Sequence, residues 1–580
     1  MPQDVVGKNA GAGRLDVVVV GAGFAGMYLL HRLRGLGMTA RVIEAGSGVG
    51  GTWYWNRYPG ARCDVESMQY SYGFSEELQQ EWKWSELFSG QPEILRYANH
   101  VADRFDLRRD ITFDTRVISA YWDSGADRWT VGTDTGETIV ARHVVMATGC
   151  LSSSRLPDIA GRESFKGRVF HTAQWPHEEV DFSGRRVAVI GTGSSAIQSI
   201  PVIAARASRV VVFQRTPNFS IPSRNGPMTE GYELEWKRDY ARRREEARHL
   251  RSGVVSPLND KSALADDAAA RRANYEARWT LGGTYFMQSY NDLAIDKAAN
   301  DTAVAFVHEK IRETVKNAAV AETLLPRNHP IGTKRICVDT AYYETFNRAN
   351  VTLVDLHATP IERIGPEEVE TTGRAFEVDD IVFATGFDAM TGTLLKIDIV
   401  GRDGITLREK WDGGPRTYLG LMTQGLPNMF MITGPGSPSV LSNMMVSIEQ
   451  HVDWICDCVG WMRQAGKTVI EADPAAEDAW VEHVNEVAFR TLYPQANSWY
   501  MGANVPGKPQ VFMPYIGGVG AYRAKCDAVA AAGYEGFTVA SARVAAELRG
   551  VWREGRSSFF EKKEAKKLWH FGIVLMQPRG

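Results

Sequence analysis

A short apolar run ending in spaced glycines appears twice in this chain, about 170 residues apart. Leu15 to Val20 runs into Gly21-x-Gly23-x-x-Gly26, and Arg186 to Ile190 runs into Gly191-x-Gly193-x-x-Ala196. A continuous apolar run of this length suits a strand buried on both faces of a parallel sheet. The glycines permit a tight turn, and the first N–H groups of the helix that follows point at whatever sits there, typically a pyrophosphate. The spacing predicts a helix over Met27–Leu36 and a strand over Ala40–Ile43, completing a β-α-β unit. In the second copy the helix is expected over Ile197–Ala205 and the next strand over Val210–Phe213. A further echo supports two related halves. Val144-Val145-Met146-Ala147-Thr148-Gly149 resembles Ile381-Val382-Phe383-Ala384-Thr385-Gly386, each a strand running into a glycine turn. The fold class is therefore α/β, with two Rossmann-like dinucleotide-binding domains. The apolar stretch Val17 to Leu30 is too short to span a bilayer and is broken by the glycines, so it reads as strand, turn and helix.

The two sites differ where the ribose should lie. Glu44 closes the second strand of the first unit, 23 residues after Gly21, where a carboxylate can accept from both ribose hydroxyls. The same offset from Gly191 reaches Gln214, followed by Arg215 and Thr216. A 2′-phosphate is repelled by a carboxylate and gripped by a guanidinium through two hydrogen bonds. The first site is thus expected to take FAD and the second NADPH in preference to NADH.

At 580 residues the chain is too long for one core. The expected divisions are a disordered leader over 1–14, an FAD-binding domain over 15–150 and 386–540, and an NADP-binding domain over 151–225 and 330–385. A helical insertion covers 226–329, because Gly226 to Asn317 is polar and carries runs such as Arg242-Arg243-Arg244-Glu245-Glu246 that suit a solvated helix face. The basic, aromatic-interleaved tail over 541–580 has no assigned role. A net charge of −3 gives no electrostatic reason to expect nucleic acid or an anionic membrane as partner. The six cysteines, Cys63, Cys150, Cys337, Cys456, Cys458 and Cys526, form no C-x-x-C, so reduced thiols in the cytoplasm are expected and a redox-active dithiol is not. Cys456 and Cys458 lie near His451, but Glu449 to Met462 reads as helix, where residues two apart diverge, and no metal site is assigned.

Two longer patterns lie around these sites. Gly50-Gly51-Thr52-Trp53-x-x-x-x-Tyr58-Pro59-Gly60-x-x-x-Asp64 follows the first motif, and Phe165-x-Gly167-x-x-x-His171-x-x-x-Trp175-Pro176 precedes the second. Both resemble the signatures of Baeyer–Villiger monooxygenases, flavoenzymes that insert oxygen beside a ketone. The resemblance runs from Asp16 to about Thr538 and is strongest to the phenylacetone and steroid monooxygenase branch. It implies FAD and NADPH as cofactors, and a ketone and O₂ as substrates. It also implies a flavin peroxide that must stay deprotonated to attack the ketone as a nucleophile. A fixed cation beside such an anion favours the charged form, and Arg remains protonated at any working pH. The resemblance gives that role to Arg335 in Gly332-Thr333-Lys334-Arg335 and makes Asp64 its holder. Lys334 would join Arg215 on the 2′-phosphate. His171 is assigned hinge support and not catalysis.

The implied flavin site comprises Gly21, Gly23, Phe24, Gly26, Glu44, Gly51, Thr52, Trp53, Arg62, Asp64, Tyr70, Val117 and Met444. The implied nucleotide site comprises Gly191, Thr192, Gly193, Ser194, Ser195, Gln198, Arg215, Thr216, Lys334, Arg335 and Trp499. Trp499 resembles a tryptophan on a mobile loop that closes over NADP⁺, and Gly502, Gly507, Gly517, Gly518 and Gly520 fit a segment that moves. NADP⁺ so retained would shield the peroxide from water. Thr433 to Met444 should pass the flavin, with Ser439, Val440 and Leu441 lining the substrate pocket. The alternatives are a flavin-containing monooxygenase oxidising nitrogen or sulfur, which has no need of Arg335, and a non-enzymatic nucleotide sensor. A monomer or weak homo-oligomer with no membrane span is expected. The particular ketone is not legible.

Overall fold

The computed structural model describes residues 14–541, so the leader, apart from Arg14, and the basic tail, apart from Ser541, lie outside the described residues. Two sheets with parallel centres organise the chain. Across the first, the order is Asp398–Val400, Val117–Asp123, Arg128–Thr133, Thr138–Met146, Leu15–Val20, Ala40–Ile43 and Ile111–Thr112. Leu15–Val20 lies parallel to Ala40–Ile43 on one side and to the far half of Thr138–Met146 on the other. That placement buries Val17, Val18 and Val19, which explains why the run is apolar without alternation. The second sheet is parallel throughout, in the order Val351–Asp355, Arg209–Gln214, Arg186–Ile190, Asp380–Phe383 and Arg168–His171. The chain thus leaves the first sheet, builds the second, and returns to lay Asp398–Val400 and Met429–Met431 against the first.

The strands Leu15–Val20, Ala40–Ile43 and Arg186–Ile190 fall where the sequence places them. Both motif helices start earlier than periodicity suggests, at Phe24–Gly35 and Ser194–Arg206. The reason is local: Gly23 and Gly193 are the extended residues just before the helix, so the third motif position already lies in its first turn. At Gly26 that turn presses on the strand end, and an added Cβ would meet the Gly21 carbonyl oxygen at 1.9 Å. Backbone cannot yield as a flexible side chain can. Gly26→Ala is therefore expected to cost about 1–3 kcal/mol of stability and to release flavin during purification, read by thermal melting and by the absorbance ratio of flavin to protein. An unchanged melt with full flavin content would contradict this packing role.

The insertion is helical, with Glu230–Arg238, Tyr240–His249, Ala268–Leu281 and Lys297–Thr314 as its main helices. Thr229, Asp267 and Asp296 cap three of them by accepting from backbone N–H groups. Tyr275, Trp279 and Phe306 pack on the core of the second sheet, whereas Trp236 and Tyr240 pack on that of the first. The charged run is only partly a solvated face. Arg242 is exposed and pairs with Asp239 and Glu246, but Arg244 turns inward and donates to the Ser71 hydroxyl at 2.6 Å and the Gln69 carbonyl at 3.0 Å. Met444–Gln464 is one helix that buries Cys456 and Cys458, and Tyr28 and Arg32 of the first motif helix donate to its Asp453.

Candidate active site

The carboxyl ends of both sheets open on one cavity of about 1490 Å³. Its walls include Val20, Gly21, Glu44 and Ala147 to Gly149 from the first sheet, and Ile190, Gly191, Phe213 and Ala384 to Gly386 from the second. Parallel strands followed by glycine turns place backbone, and not bulk, at this rim. Neither motif helix has a side-chain cap or an acidic residue in its first turn, unlike the capped helices of the insertion. Their leading N–H groups are therefore left for an anion in the cavity. Every residue expected to hold a nucleotide lines this cavity except Gly26, which packs behind it.

Glu44 is buried and its two carboxylate oxygens each accept a backbone N–H, from Ala22 and from Gly46, at 2.7 Å. Burial raises its pKa, and these backbone donors pull it back. A carboxylate oxygen carries two lone pairs, so both remain able to accept from a ribose hydroxyl. These acceptors fit the ribose at the adenosine end of FAD.

In the other half, Arg215 and Thr216 follow the strand Arg209–Gln214, and Lys334 stands opposite on the loop before Cys337–Asp339. The corner is fixed by Thr192 donating to the Thr216 carbonyl at 2.8 Å and Asn218 donating to the Thr192 carbonyl at 2.7 Å. Burial, and then the charge of Arg215, lower the pKa of Lys334. Two cations held together in this way suit a phosphate dianion, which would relieve their repulsion. Lys334 can grip that phosphate only while protonated. As pH rises through its lowered pKa, kcat/KM for NADPH should fall, at a lower pH than an ordinary lysine would give. The profile for NADH should lack that limb, as should NADPH with Lys334→Met. Identical alkaline limbs in all three would remove Lys334 from phosphate recognition.

Arg335 and Asp64, 271 residues apart, meet in the wall of the cavity. The guanidinium donates to one oxygen of Asp64 from Nε at 3.0 Å and Nη2 at 2.6 Å, and from Nη1 to the Val440 carbonyl at 2.7 Å. The charge of Asp64 raises the pKa of Arg335 further above its ordinary value, outweighing burial. The Tyr500 hydroxyl also faces the guanidinium. The cation is thus oriented from three sides and cannot be switched off by pH.

Of the three residues expected in the substrate pocket, only Val440 faces the cavity. Ser439 to Leu441 form a single 3₁₀ turn that starts from a left-handed Ser439, φ 42°. That turn directs the Ser439 hydroxyl away, toward the Thr433 carbonyl at 3.1 Å and the Cys150 thiol at 2.9 Å. Leu441 packs against the apolar cluster that includes Tyr500 and Phe512. The pocket wall is instead Val440, Ser442, Met444 and Ile448. Sequence reading also missed Arg116, Asn218, Asn504 and Lys508, all of which line the cavity. The glycines near Trp499 divide. Gly502 and Gly507 lie in the loop with φ of 74° and 78°, but Gly520 packs against His249, where a Cβ would sit 2.3 Å from the carbonyl oxygen. Gly517, Gly518 and Gly520 flank the start of helix Val519–Ala531, where Gly518 and Gly520 pack closely against Arg251 and His249.

His171 accepts from the Ala173 N–H at 3.0 Å through Nδ1, and its Nε2 lies 3.2 Å from the Arg155 carbonyl and 3.4 Å from the Thr385 hydroxyl. It joins the two chain crossings between the sheets, and burial lowers its pKa. Trp175 is buried and stacked on Phe170 at 5.1 Å. His171 thus ties the two crossings together, whereas Trp175 belongs to the core of the second sheet.

Residues 15–235 match the pyridine nucleotide-disulphide oxidoreductase family. The chain is 42% identical over 530 residues to an acetone monooxygenase (methyl acetate-forming) of Gordonia sp. strain TY-5, covering 90% of this chain and 99% of that protein. It is 41% identical over 538 residues to a Baeyer–Villiger monooxygenase of Pseudooceanicola batsensis, covering 92% of this chain and 96% of the relative. Among solved structures it is similar to an oxidized steroid monooxygenase bound to NADP, at 54% identity and a TM-score of 0.88, covering 91% of this chain and 100% of that one.

Proposed function

The chain belongs to the Baeyer–Villiger monooxygenases, and from that premise we propose that it converts a ketone to an ester or lactone at the cleft between its two sheets, with Arg335 as the catalytic cation and Asp64 as its holder. Bound FAD, reduced by NADPH, supplies the oxygen-activating chemistry. The chain's own residues do the rest. Gly21, Gly23 and the first turn of helix Phe24–Gly35 hold the FAD pyrophosphate, and Glu44 its ribose. Gly191, Gly193 and the helix Ser194–Arg206 hold the NADPH pyrophosphate, while Arg215 and Lys334 select its 2′-phosphate. Arg335 fixes one positive charge in a partly buried cleft, where it favours an anion over its protonated form and polarises a carbonyl oxygen. Asp64 takes Nε and Nη2 along one edge of the Arg335 guanidinium and the Val440 carbonyl takes Nη1, which orients the remaining N–H bonds.

The observation that carries this reading is the Asp64–Arg335 pair, which joins the flavin-side signature to the nucleotide-side loop. No helix among the described residues is long and apolar enough to cross a membrane. The six buried, unpaired thiols suit the reducing cytoplasm. The reading is tested by turnover on aliphatic, cyclic and aryl ketones beside a thioether and a tertiary amine, with products identified by mass spectrometry. Ester or lactone from at least one ketone, at a kcat/KM above that for the amine, is expected. Oxidation of the amine alone would favour the nitrogen-oxidising alternative.

A further inference from the structure

The segment 497–510 closes one side of the cavity, with Trp499, Asn504, Val505, Pro506, Gly507 and Lys508 on its wall. Apart from the 3₁₀ turn Trp499–Met501 it has no regular element of its own. Tyr500 is buried in an apolar cluster with Met390, Val440 and Phe512, and the stretch around Asn504 and Lys508 is tied by polar contacts to the two stretches where the chain crosses between the sheets. Those stretches, 150–155 and 385–390, bond to each other: Asp388 N–H donates to the Ser153 carbonyl and Met390 N–H to the Cys150 carbonyl, both at 2.8 Å. The segment hangs from this pair. Arg155 donates to the Asn504 carbonyl at 2.9 Å, and the Asn504 amide donates to the Phe387 carbonyl at 2.7 Å. Lys508 donates from Nζ to Asp388 and to the Ala389 carbonyl, each at 2.7 Å.

We propose that Lys508 is a positioning residue for nucleotide retention: its ammonium, bound to Asp388 and the Ala389 carbonyl, latches segment 497–510 over the cleft. Only 10% of the Lys508 side chain is exposed, against 29% for Asp388. An ion pair withdrawn this far from water costs desolvation unless its hydrogen bonds are satisfied, and the Ala389 carbonyl supplies the extra acceptor. Breaking the pair by removing one partner leaves the other charge poorly solvated and unpaired, which favours opening of the segment. The contacts take two of the three donors of the Lys508 ammonium and set its charge against Asp388, which leaves the 2′-phosphate to Arg215 and Lys334. Because Asp388 sits on a crossing stretch, the latch ties the segment to the chain that joins the two sheets.

The proposal rests on the reading above only in that NADPH fills the cleft. Its test uses the FAD-bound protein and three variants, Lys508→Met, Asp388→Asn and the two combined. Amide hydrogen exchange over 497–510 is measured without nucleotide and with NADP⁺, alongside the NADP⁺ dissociation constant. Each single variant should speed exchange in this segment and weaken NADP⁺ about tenfold, the loss expected of one charged hydrogen bond. The double variant should be no weaker than the worse single one, because the two residues act as a pair. Lys508→Arg, which keeps the charge, should recover most of the protection. Unchanged exchange in the single variants overturns the latch. Faster exchange with intact NADP⁺ affinity reduces it to a structural anchor, and multiplying losses in the double variant deny the pairing. The exchange measured without nucleotide does not depend on which substrate is oxidised, so it separates failure of the latch from failure of the proposed reaction.

Discussion

Replacing Arg335 with alanine should leave reduction of the bound flavin by NADPH within about threefold of the parent and cut ester formation by about 10²–10³-fold, the range for removing one preorganised charge stabiliser. The split follows from the geometry. On the proposed reading phosphate recognition lies at Arg215 and Lys334, whereas Arg335 is held in the cavity wall by Asp64 and the Val440 carbonyl. Consumed NADPH should then appear as hydrogen peroxide. Arg335→Lys should recover part of the loss, since an ammonium keeps the charge but cannot keep both the Asp64 and Val440 contacts in one plane. Equal losses of flavin reduction and ester formation would mean that Arg335 serves nucleotide binding. Ester formation at the parent rate would remove it from the chemistry altogether.

The second large effect concerns Arg215. Arg215→Ala should raise KM for NADPH about 10–100-fold, as expected for losing charge-assisted hydrogen bonds worth about 1.5–3 kcal/mol, and leave KM for NADH within about twofold. Lys334 stays in place in that variant and sets the residual preference for NADPH. A parallel rise for both nucleotides would show that Arg215 shapes the pocket without reading the phosphate.

Features governed by neighbours along the chain are legible in the amino-acid sequence. The buried strand Leu15–Val20, the glycine turns and the positions of Glu44 and Arg215 follow from spacing along a β-α-β unit, because the second strand ends at a fixed offset from the turn. The Asp64–Arg335 pair is different: no local period links residues 271 apart, and only the family resemblance connects them in the sequence. The facing of Ser439, Val440 and Leu441 is hidden for another reason. In a single 3₁₀ turn, one step of register decides which side chain meets the cavity, and the left-handed Ser439 that sets this register carries no sequence signal. Lys508, Asn504 and Arg155 give no sign of their role because their partners are carbonyls and a carboxylate more than 100 residues away along the chain. The glycines from Gly517 to Gly520 are ambiguous in the sequence, since glycine permits both mobility and close approach, and Gly520 approaches the His249 backbone closely.

The central claim is that NADPH and O₂ are spent on inserting one oxygen atom beside a ketone carbonyl. It is tested most directly by incubating the FAD-bound protein with NADPH, ¹⁸O₂ and a ketone panel, and weighing the products. The account predicts an ester or lactone carrying a single ¹⁸O atom, formed in proportion to NADPH consumed. Consumption of NADPH with labelled peroxide and no labelled ester from any ketone would contradict it.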